Sequence, residues 1–595
     1  MPNTIRDDIH RVDKTSYDYI FEENVTVQLK DNRGIVRINV YRPKAANAKF
    51  PVLVTYGPYG KDIHYGDFHA KSFGEVPEEQ HSAHSAWETP DPGFWTKHGY
   101  AVVRGDEVGL GQSPGELNTM SRDTSLAFKD LIEWSTDQPW SSGKIGLLGV
   151  SYYAGSQWRV AARQPKGLAC IIPWEGMSDY YRDRCRHGGI LSNAFIDFWW
   201  NRQVITNQYG RPGRAARNWG PDTLDGDLTK EELKSSCRDQ TIDNVNNRFL
   251  DDDYYASKSF DLKDIQVPLL SVANWGGIHL HLRGNIEGFM YAGSKLKYLR
   301  FATGRHDMPF YTKNSVELQK SFLDAFLKGH DVVGWSTGEA PRIDVVIRKG
   351  NPGVNNPEAE KTFPTRLEAE WPIARTKYTK YHLGVNLSFG EEMAKSQTTG
   401  KLTYRAPSGL NEQHRVQFKT EPVEKEIEFT GHIVAHLNVS TSALEYASGP
   451  SEMDLFVTLR HLDKDRKEIF YTGADGDAVP VCKGWLRVSM REVNYRSTRN
   501  TFWHPHREYL STEVLPVVPG EIYAVDIELW PTSVVLTPGE ALVFEVASGD
   551  TQGAGRFEHN SPIDRPLEKL RGLNHIHFGT GLENYVLLPV IPAAT

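Results

Sequence analysis

Gly149-Val-Ser-Tyr-Tyr153 is the segment of this chain best suited to do chemistry. It follows a short apolar run and precedes a stretch of small, helix-compatible residues, the context of a nucleophile elbow. A sharp strand-to-helix turn crowds its side chains, so a small residue is needed two places before the serine, and Gly149 supplies it. Such a turn lifts the Ser151 hydroxyl above the sheet edge and points the backbone N–H of Tyr152 at the same spot, where the helix N-terminus favours negative charge. The chemistry this serves is attack on a carbonyl carbon with stabilisation of the oxyanion. The bland alternative is a serine that only caps a helix. One departure stands out: Tyr153 occupies the place where such elbows usually carry a second glycine.

An elbow works only if strands and helices hold it. Pro51–Tyr56 and Tyr100–Arg104 are continuous apolar runs, as are Ile145–Val150, Leu168–Pro173, Val267–Ala273 and Tyr298–Ala302. Strands buried on both faces require such runs. Amphipathic stretches at 121–138, 152–163 and 316–328 fall between or after them, and this alternation predicts a doubly wound, mostly parallel α/β sheet. Asn24–Leu29 and Ile35–Tyr41 flank Asp31-Asn-Arg-Gly34 as a hairpin. Between Pro173 and Val267 the residues turn helical, with Phe198, Trp199, Trp200 and Trp219 concentrated there. From about Gly334 short alternating runs are separated by Gly, Pro, Asn and Asp, the pattern of an all-β sandwich; Ile433–Val439, Met453–Arg460, Tyr523–Leu529 and Ala541–Val546 are its clearest strands. The expected organisation is residues 1–176 as the first part of the sheet domain, 177–262 as a helical cap insertion, 263–333 as the second part of the sheet domain, and 334–595 as the all-β domain.

Composition narrows the function classes. A chain of 595 residues exceeds one core. With 39% hydrophobic and 24% charged residues it reads as globular rather than disordered. A formal net charge of −8 argues against a nucleic-acid binder, which needs a concentrated basic face. The polar segment Met1–Lys14 lacks the apolar core of a secretory signal, and no apolar run approaches a membrane span. Four scattered cysteines (Cys170, Cys185, Cys237, Cys482) have neither metal-ligand nor redox spacing, which favours reduced thiols and a cytoplasmic location.

Together these residues resemble the cocaine esterase and X-Pro dipeptidyl-peptidase family of α/β-hydrolase serine hydrolases. Gly149, Ser151 and Tyr152 match its elbow. Gly57-Pro-Tyr-Gly-Lys61 looks like its loop bearing an oxyanion tyrosine, and Asp106-Glu-Val-Gly-Leu-Gly-Gln-Ser-Pro-Gly115 is similar to another of its motifs, with Val108 where arginine is usual. Gly484-Trp-Leu-Arg487, Trp503-His-Pro-His506 and Asp526-Ile-Glu-Leu-Trp-Pro-Thr-Ser533 resemble signatures of its jelly-roll domain. The resemblance implies an α/β-hydrolase core, a helical cap and a C-terminal jelly roll, with the Tyr59 hydroxyl and the Tyr152 N–H as oxyanion donors.

The general base belongs on the loop after the last sheet strand. Phe301-Ala-Thr-Gly-Arg-His306 occupies that place and resembles the family's histidine segment, although Gly304 and His306 are closer than its usual spacing; His306 Nε2 is therefore expected to take the Ser151 proton. The family's W-x-D acid is missing: Asn274-Trp-Gly-Gly-Ile278 puts Gly277 in the aspartate position. Asp307 is too near His306 in sequence to orient it, and Glu287 is expected to face away. Trp174-Glu175 ends the strand after the nucleophile strand. Adjacent strands lie about 4.8 Å apart, so Glu175 is the expected replacement; pairing with Arg182 or Arg184, or a dyad without an acid, are the alternatives. Trp174, Trp199, Trp200 and Trp275 are expected to line the substrate pocket.

No metal and no cofactor are expected. His64, His69, His81 and His84 lie among acids in Asp62–Pro92 but lack ligand spacing, so that segment reads as a loop over the site. Asp463-Lys-Asp465 and Asp475-Gly-Asp477 read as hairpin turns. Asp179 and Asp183 at the cap entrance could hold an amino terminus or simply form salt bridges. The leading expectation is an ester or amide hydrolase working through an acyl-enzyme on a small-molecule substrate, with no nucleic acid and no membrane as partner; a homo-oligomer stays open. An acyltransferase using the same acyl-enzyme, or a non-catalytic binding protein with a vestigial elbow, are the other readings.

Overall fold

The computed structural model describes residues 9–217, 219, 228–392, 399–444 and 449–593; residues 1–8 of the polar amino-terminal segment lie outside them. The apolar runs become one sheet of 11 strands. Its parallel core runs Ala101–Asp106, Phe50–Gly57, Ser141–Val150, Leu168–Trp174, Leu269–Asn274, Lys297–Ala302 and Ile343–Val346 across the molecule. Antiparallel strands extend both ends, with Tyr19–Gln28 and Ile35–Pro43 forming the expected hairpin. The central strands are buried on both faces by helices, including Arg122–Thr136, Tyr152–Ala161, Leu282–Tyr291 and Lys313–Leu323. Ser121 caps the first of these by accepting from the Thr124 N–H, which fixes where the amphipathic stretch starts.

This strand order matters for function. Ser151, Glu175, Asn274 and His306 follow or end four strands that are consecutive across the sheet, so all four come to its carboxyl edge. Open α/β sheets bind ligands there.

The insertion between Trp174 and Leu269 is helical in short pieces, among them Tyr180–Cys185, Asn193–Trp199, Lys230–Ser235 and Gln240–Asn246. The helical character is interrupted just before Asn193. Arg186–His187 and Ile190–Leu191 instead form a two-stranded hairpin, because Gly188 and Gly189 both take positive φ and turn the chain. A Cβ on Gly188 would lie 2.0 Å from the Trp485 carbonyl, so the turn can seat on the all-β domain only as glycine.

The C-terminal part forms a second, 12-stranded antiparallel sheet. Its longest strand, Ile427–Ser442, pairs with Tyr523–Leu536, Gly572–Phe578 and Tyr585–Ile591. A bridge between Ser388 and Lys419 brings its two ends together, so the sheet is nearly closed. Two strands beyond Gly334, Ile343–Val346 and Thr365–Glu368, join the first sheet instead. Composition changes before the chain leaves that sheet, since edge strands carry the short alternating pattern of an all-β region. Trp275, Phe301 and Trp371 share one core with Phe429, Trp485 and Trp530, so the two sheets are packed together rather than tethered. Among the described residues no helix is long and apolar enough to cross a membrane.

Candidate active site

Ser151 sits at the junction of Ser141–Val150 and Tyr152–Ala161 with φ 59° and ψ −115°. For a residue bearing a Cβ this is a costly backbone, of the kind that persists only where surrounding structure imposes it. Its N–H donates to the carbonyls of Trp174 and Glu175, which clamps the elbow to the neighbouring strand end. The steric demand of the turn is met in two places. A Cβ on Gly149 would lie 2.6 Å from the Tyr153 Cβ, and one on Gly57 would lie 2.7 Å from the Tyr153 ring. The bulk of Tyr153, unusual for an elbow, is thus accommodated by glycine on two adjacent strands.

The Tyr59 ring packs on Tyr152, Tyr153 and Trp87, and its hydroxyl accepts from the Trp199 indole N–H at 2.9 Å. That bond occupies an acceptor site and leaves the phenolic proton available. Burial, reinforced by the charge of Glu88, raises the Tyr59 phenol well above its usual range, so it stays a donor. Tyr152 is the first residue of its helix, so its N–H has no intrahelical acceptor. Its own hydroxyl is engaged elsewhere, donating to Glu107 at 2.8 Å and accepting from the Met120 N–H at 2.9 Å.

The histidines are arranged differently from expectation. His281 Nε2 lies 3.1 Å from the Ser151 Oγ. His306, expected there, is held between two buried carboxylates, with Nδ1 3.1 Å from Glu175 Oε2 and Nε2 2.9 Å from Glu88 Oε1. An ionised partner makes a stronger hydrogen bond than a neutral hydroxyl, which accounts for Glu88 rather than Ser151 engaging Nε2. The rings of His281 and His306 stack with centroids 5.1 Å apart. Burial opposes the charged form of His306, but Glu175 and Glu88 outweigh it and hold the imidazolium well above its usual range. His281 goes the other way: burial, then the charges of His306 and Arg184, keep it neutral.

Glu175 is fully buried and has a positive φ of 47°. Asn274 Nδ2 donates to its second oxygen at 3.0 Å. Neither of the arginines considered as its partner reaches it. Arg182 pairs with Asp179 and Glu508, and Arg184 lies over the Trp199 ring. Asp183 pairs with Arg283, Glu287 turns to His504 and Arg283, and Asp307 turns to Arg305. Gly277 lies in the turn after Asn274, accepting from the His281 N–H.

Glu88, Asn274 and His281 were not singled out in the sequence. Glu88 comes from the segment Asp62–Pro92, read as a loop over the site. Its φ is 62°, its carbonyl accepts from the Val150 N–H, and its Oε2 is buried without a partner among the described residues. Burial raises its carboxyl to about 7 against the opposing pull of His306. Among the described residues no cluster of three or more His, Cys, Asp or Glu could hold a metal ion.

Of the four tryptophans expected to line a pocket, Trp199 touches Tyr59 and stacks on Tyr152, and Trp200 is buried in the same aromatic cluster. The other two are core residues. Trp275 stacks on Phe301 at 4.1 Å and donates to the Val346 carbonyl, and Trp174 packs against Phe310. Both side chains leave the sheet towards its packed faces, where large rings fill volume between layers.

Known proteins resemble this chain in sequence and fold. The family model of the X-Pro dipeptidyl-peptidase (S15 family) matches residues 35–306, and that of the X-Pro dipeptidyl-peptidase C-terminal non-catalytic domain matches residues 336–587. Cocaine esterase from Rhodococcus sp. (strain MB1 Bresler) is 24% identical, over 96% of this chain and 99% of that one. A putative serine esterase from Mycobacterium bovis is 23% identical over 76% and 78%. The crystal structure of a CocE/NonD family hydrolase from Staphylococcus aureus superposes with a TM-score of 0.80 and 28% identity, covering 98% of this chain and 96% of that one. The first matched segment contains Ser151 and most of its sheet, and the second contains most of the nearly closed antiparallel sheet. The chain therefore belongs to the cocaine esterase and X-Pro dipeptidyl-peptidase family of α/β-hydrolase serine hydrolases.

Proposed function

We propose that the protein cleaves a small ester or amide through an acyl-enzyme on Ser151, with His306, oriented by Glu175, as the base. The observation that carries this reading is the strained Ser151 elbow at the sheet edge, whose hydroxyl meets His281, the ring stacked on the Glu175-bound His306, beside a tyrosine with an uncommitted proton. The Ser151 Oγ bonds to the carbonyl carbon as its proton passes to His306 Nε2, and the carbonyl oxygen takes up charge facing Tyr59 OH and the Tyr152 N–H. Collapse expels the alcohol or amine, which takes that proton from His306. Water then repeats the sequence on the acyl-enzyme and releases the acid. For this cycle His306 Nε2 must exchange Glu88 for Ser151, while Glu175 keeps Nδ1 protonated and supports the imidazolium.

Relatives named for cocaine esters, amino-acid esters and X-Pro peptides set the first substrates to try: acyl p-nitrophenyl esters, amino-acid esters and X-Pro amides. Ser151 is only 8% exposed, which favours one second reading, an acyltransferase that excludes water and accepts another nucleophile. Product analysis with and without an alcohol or amine acceptor separates the two. The primary test is labelling by a fluorophosphonate. Wild-type protein is expected to be labelled, whereas Ser151→Ala should not be and should lose about 10⁴–10⁶ in kcat. Undiminished labelling of Ser151→Ala would end this reading.

A further inference from the structure

We propose that His281 is a catalytic residue of this site, acting as a fixed neutral hydrogen-bond donor to the Ser151 oxygen rather than as its base. The inference rests on Ser151 being the nucleophile. The decisive contact is on the far side of the ring, where the backbone N–H of Met177 donates to His281 Nδ1 at 3.1 Å. A nitrogen that accepts a hydrogen bond carries a lone pair, so the single proton of the neutral imidazole is on Nε2, 3.1 Å from Ser151 Oγ. In that tautomer Nε2 cannot take the serine proton. Nor does the surrounding structure allow a second proton on the ring, since Nδ1 would then face an N–H. His281 also sits at the N-terminus of the ten-residue helix Leu282–Tyr291, whose positive end disfavours an imidazolium. The stacked ring of His306 and the guanidinium of Arg184 act in the same direction.

A donor in this position acts on both halves of the reaction. When the Oγ proton passes to His306, negative charge builds on Oγ and the bond from His281 becomes charge-assisted. When the acyl-enzyme breaks down, Oγ is the leaving atom and the same bond stabilises it. His281 keeps its proton throughout, and the proton that moves runs between Ser151 and His306. The site thus divides two tasks between two imidazoles, one held neutral by a backbone N–H and one held by carboxylates.

Three substitutions separate the donor from its alternatives. Asn at position 281 can still accept from the Met177 N–H but cannot reach Oγ. Gln places an amide N–H near the position of Nε2. His281→Asn and His281→Leu are expected to lose about 10²–10³ in kcat, with KM and the acid limb of the pH–kcat/KM profile unmoved. His281→Gln is expected to recover to within about tenfold of wild type. Thermal melting and near-ultraviolet circular dichroism check that each variant is folded. Loss of about 10⁴ or more in all three, with the acid limb abolished, would make His281 the base and overturn the assignment. Wild-type kcat in His281→Asn would remove it from the chemistry. Equal, moderate losses in Asn and Gln variants would leave only a shape requirement and overturn it too. Labelling of Ser151→Ala by a fluorophosphonate would instead refute the underlying nucleophile.

Discussion

Among the described residues, two chains of histidine and carboxylate invite comparison, and only one is built like a reactive site. At the sheet edge, Glu175, His306 and Glu88 form a line beside Ser151. At the contact between the helical insertion and the all-β domain, Asp550 bonds His559 Nδ1 at 3.0 Å, His559 Nε2 meets His187 Nδ1 at 2.9 Å, and His187 Nε2 reaches the Asp183 carbonyl. Both resemble the acid–imidazole half of a triad. The second, however, has no serine at its end among the described residues. The first brings together three residues with positive φ (Glu88, Ser151 and Glu175) and leaves a buried carboxylate oxygen of Glu88 unpartnered among the described residues. Backbone strain and unmet polar capacity, rather than a histidine on a carboxylate, separate a site poised for chemistry from a structural lock.

The sharpest way to break this comparison is to treat the two acids alike. Glu175→Gln should keep the fold and cost roughly 10²–10⁴ in kcat, since an amide neither stabilises imidazolium nor reliably accepts from Nδ1–H. Steady-state kinetics within about tenfold of wild type would take Glu175 out of the mechanism and leave a Ser151–His306 dyad.

Glu88→Gln sharpens the role of the second carboxylate. His306 accepts a proton only when neutral, and Glu175 and Glu88 together favour its charged form. The wild-type acid limb is therefore expected above the ordinary histidine range, with activity rising as pH increases. Removing the Glu88 charge should move that limb to lower pH, so the variant is several-fold faster on the acid side and about equal at high pH. Asp307 and the hydroxyls of Tyr59, Tyr65, Tyr153 and Tyr311 also face this charge, and none of them is altered by the substitution. An unmoved limb in the pH–kcat/KM profile would show that Glu88 does not bear on the base.

The smallest effect on turnover belongs to the other chain of histidines. Asp550→Asn should leave kcat of the folded protein unchanged while lowering stability by about 3–5 kcal/mol, the cost of breaking a buried ion pair. Burial opposes the Asp550 carboxylate, but His559 outweighs it and holds the group below its usual range. Its contribution is then complete above the ordinary carboxylate range and is lost as pH falls through the depressed value. Denaturant melts at neutral and acidic pH read both effects. A kcat change without a stability change would mean that the interface chain communicates with Ser151.

The chain by itself determined the local parts of this machine. Strand, elbow and helix around Ser151 follow from contiguous residues, as do the buried apolar runs that set the sheet. Given the sheet order, Glu175 and His306 come to the same carboxyl edge, at the ends of strands separated only by Leu269–Asn274. The change to short alternating strands marked the second sheet, although it came too early, because Ile343–Val346 and Thr365–Glu368 have that pattern and still pair with the first. Only the tertiary structure decided which side chains meet. His281 comes to Ser151 across 130 residues and Glu88 to His306 across 218, and neither pairing has a periodicity or spacing that a sequence displays. A hydrogen bond is settled by competition among every donor and acceptor that folding brings within about 3 Å. The Met177 N–H that fixes the proton of His281 is a backbone group, common to every residue but proline, so its effect exists only once the chain has folded around it.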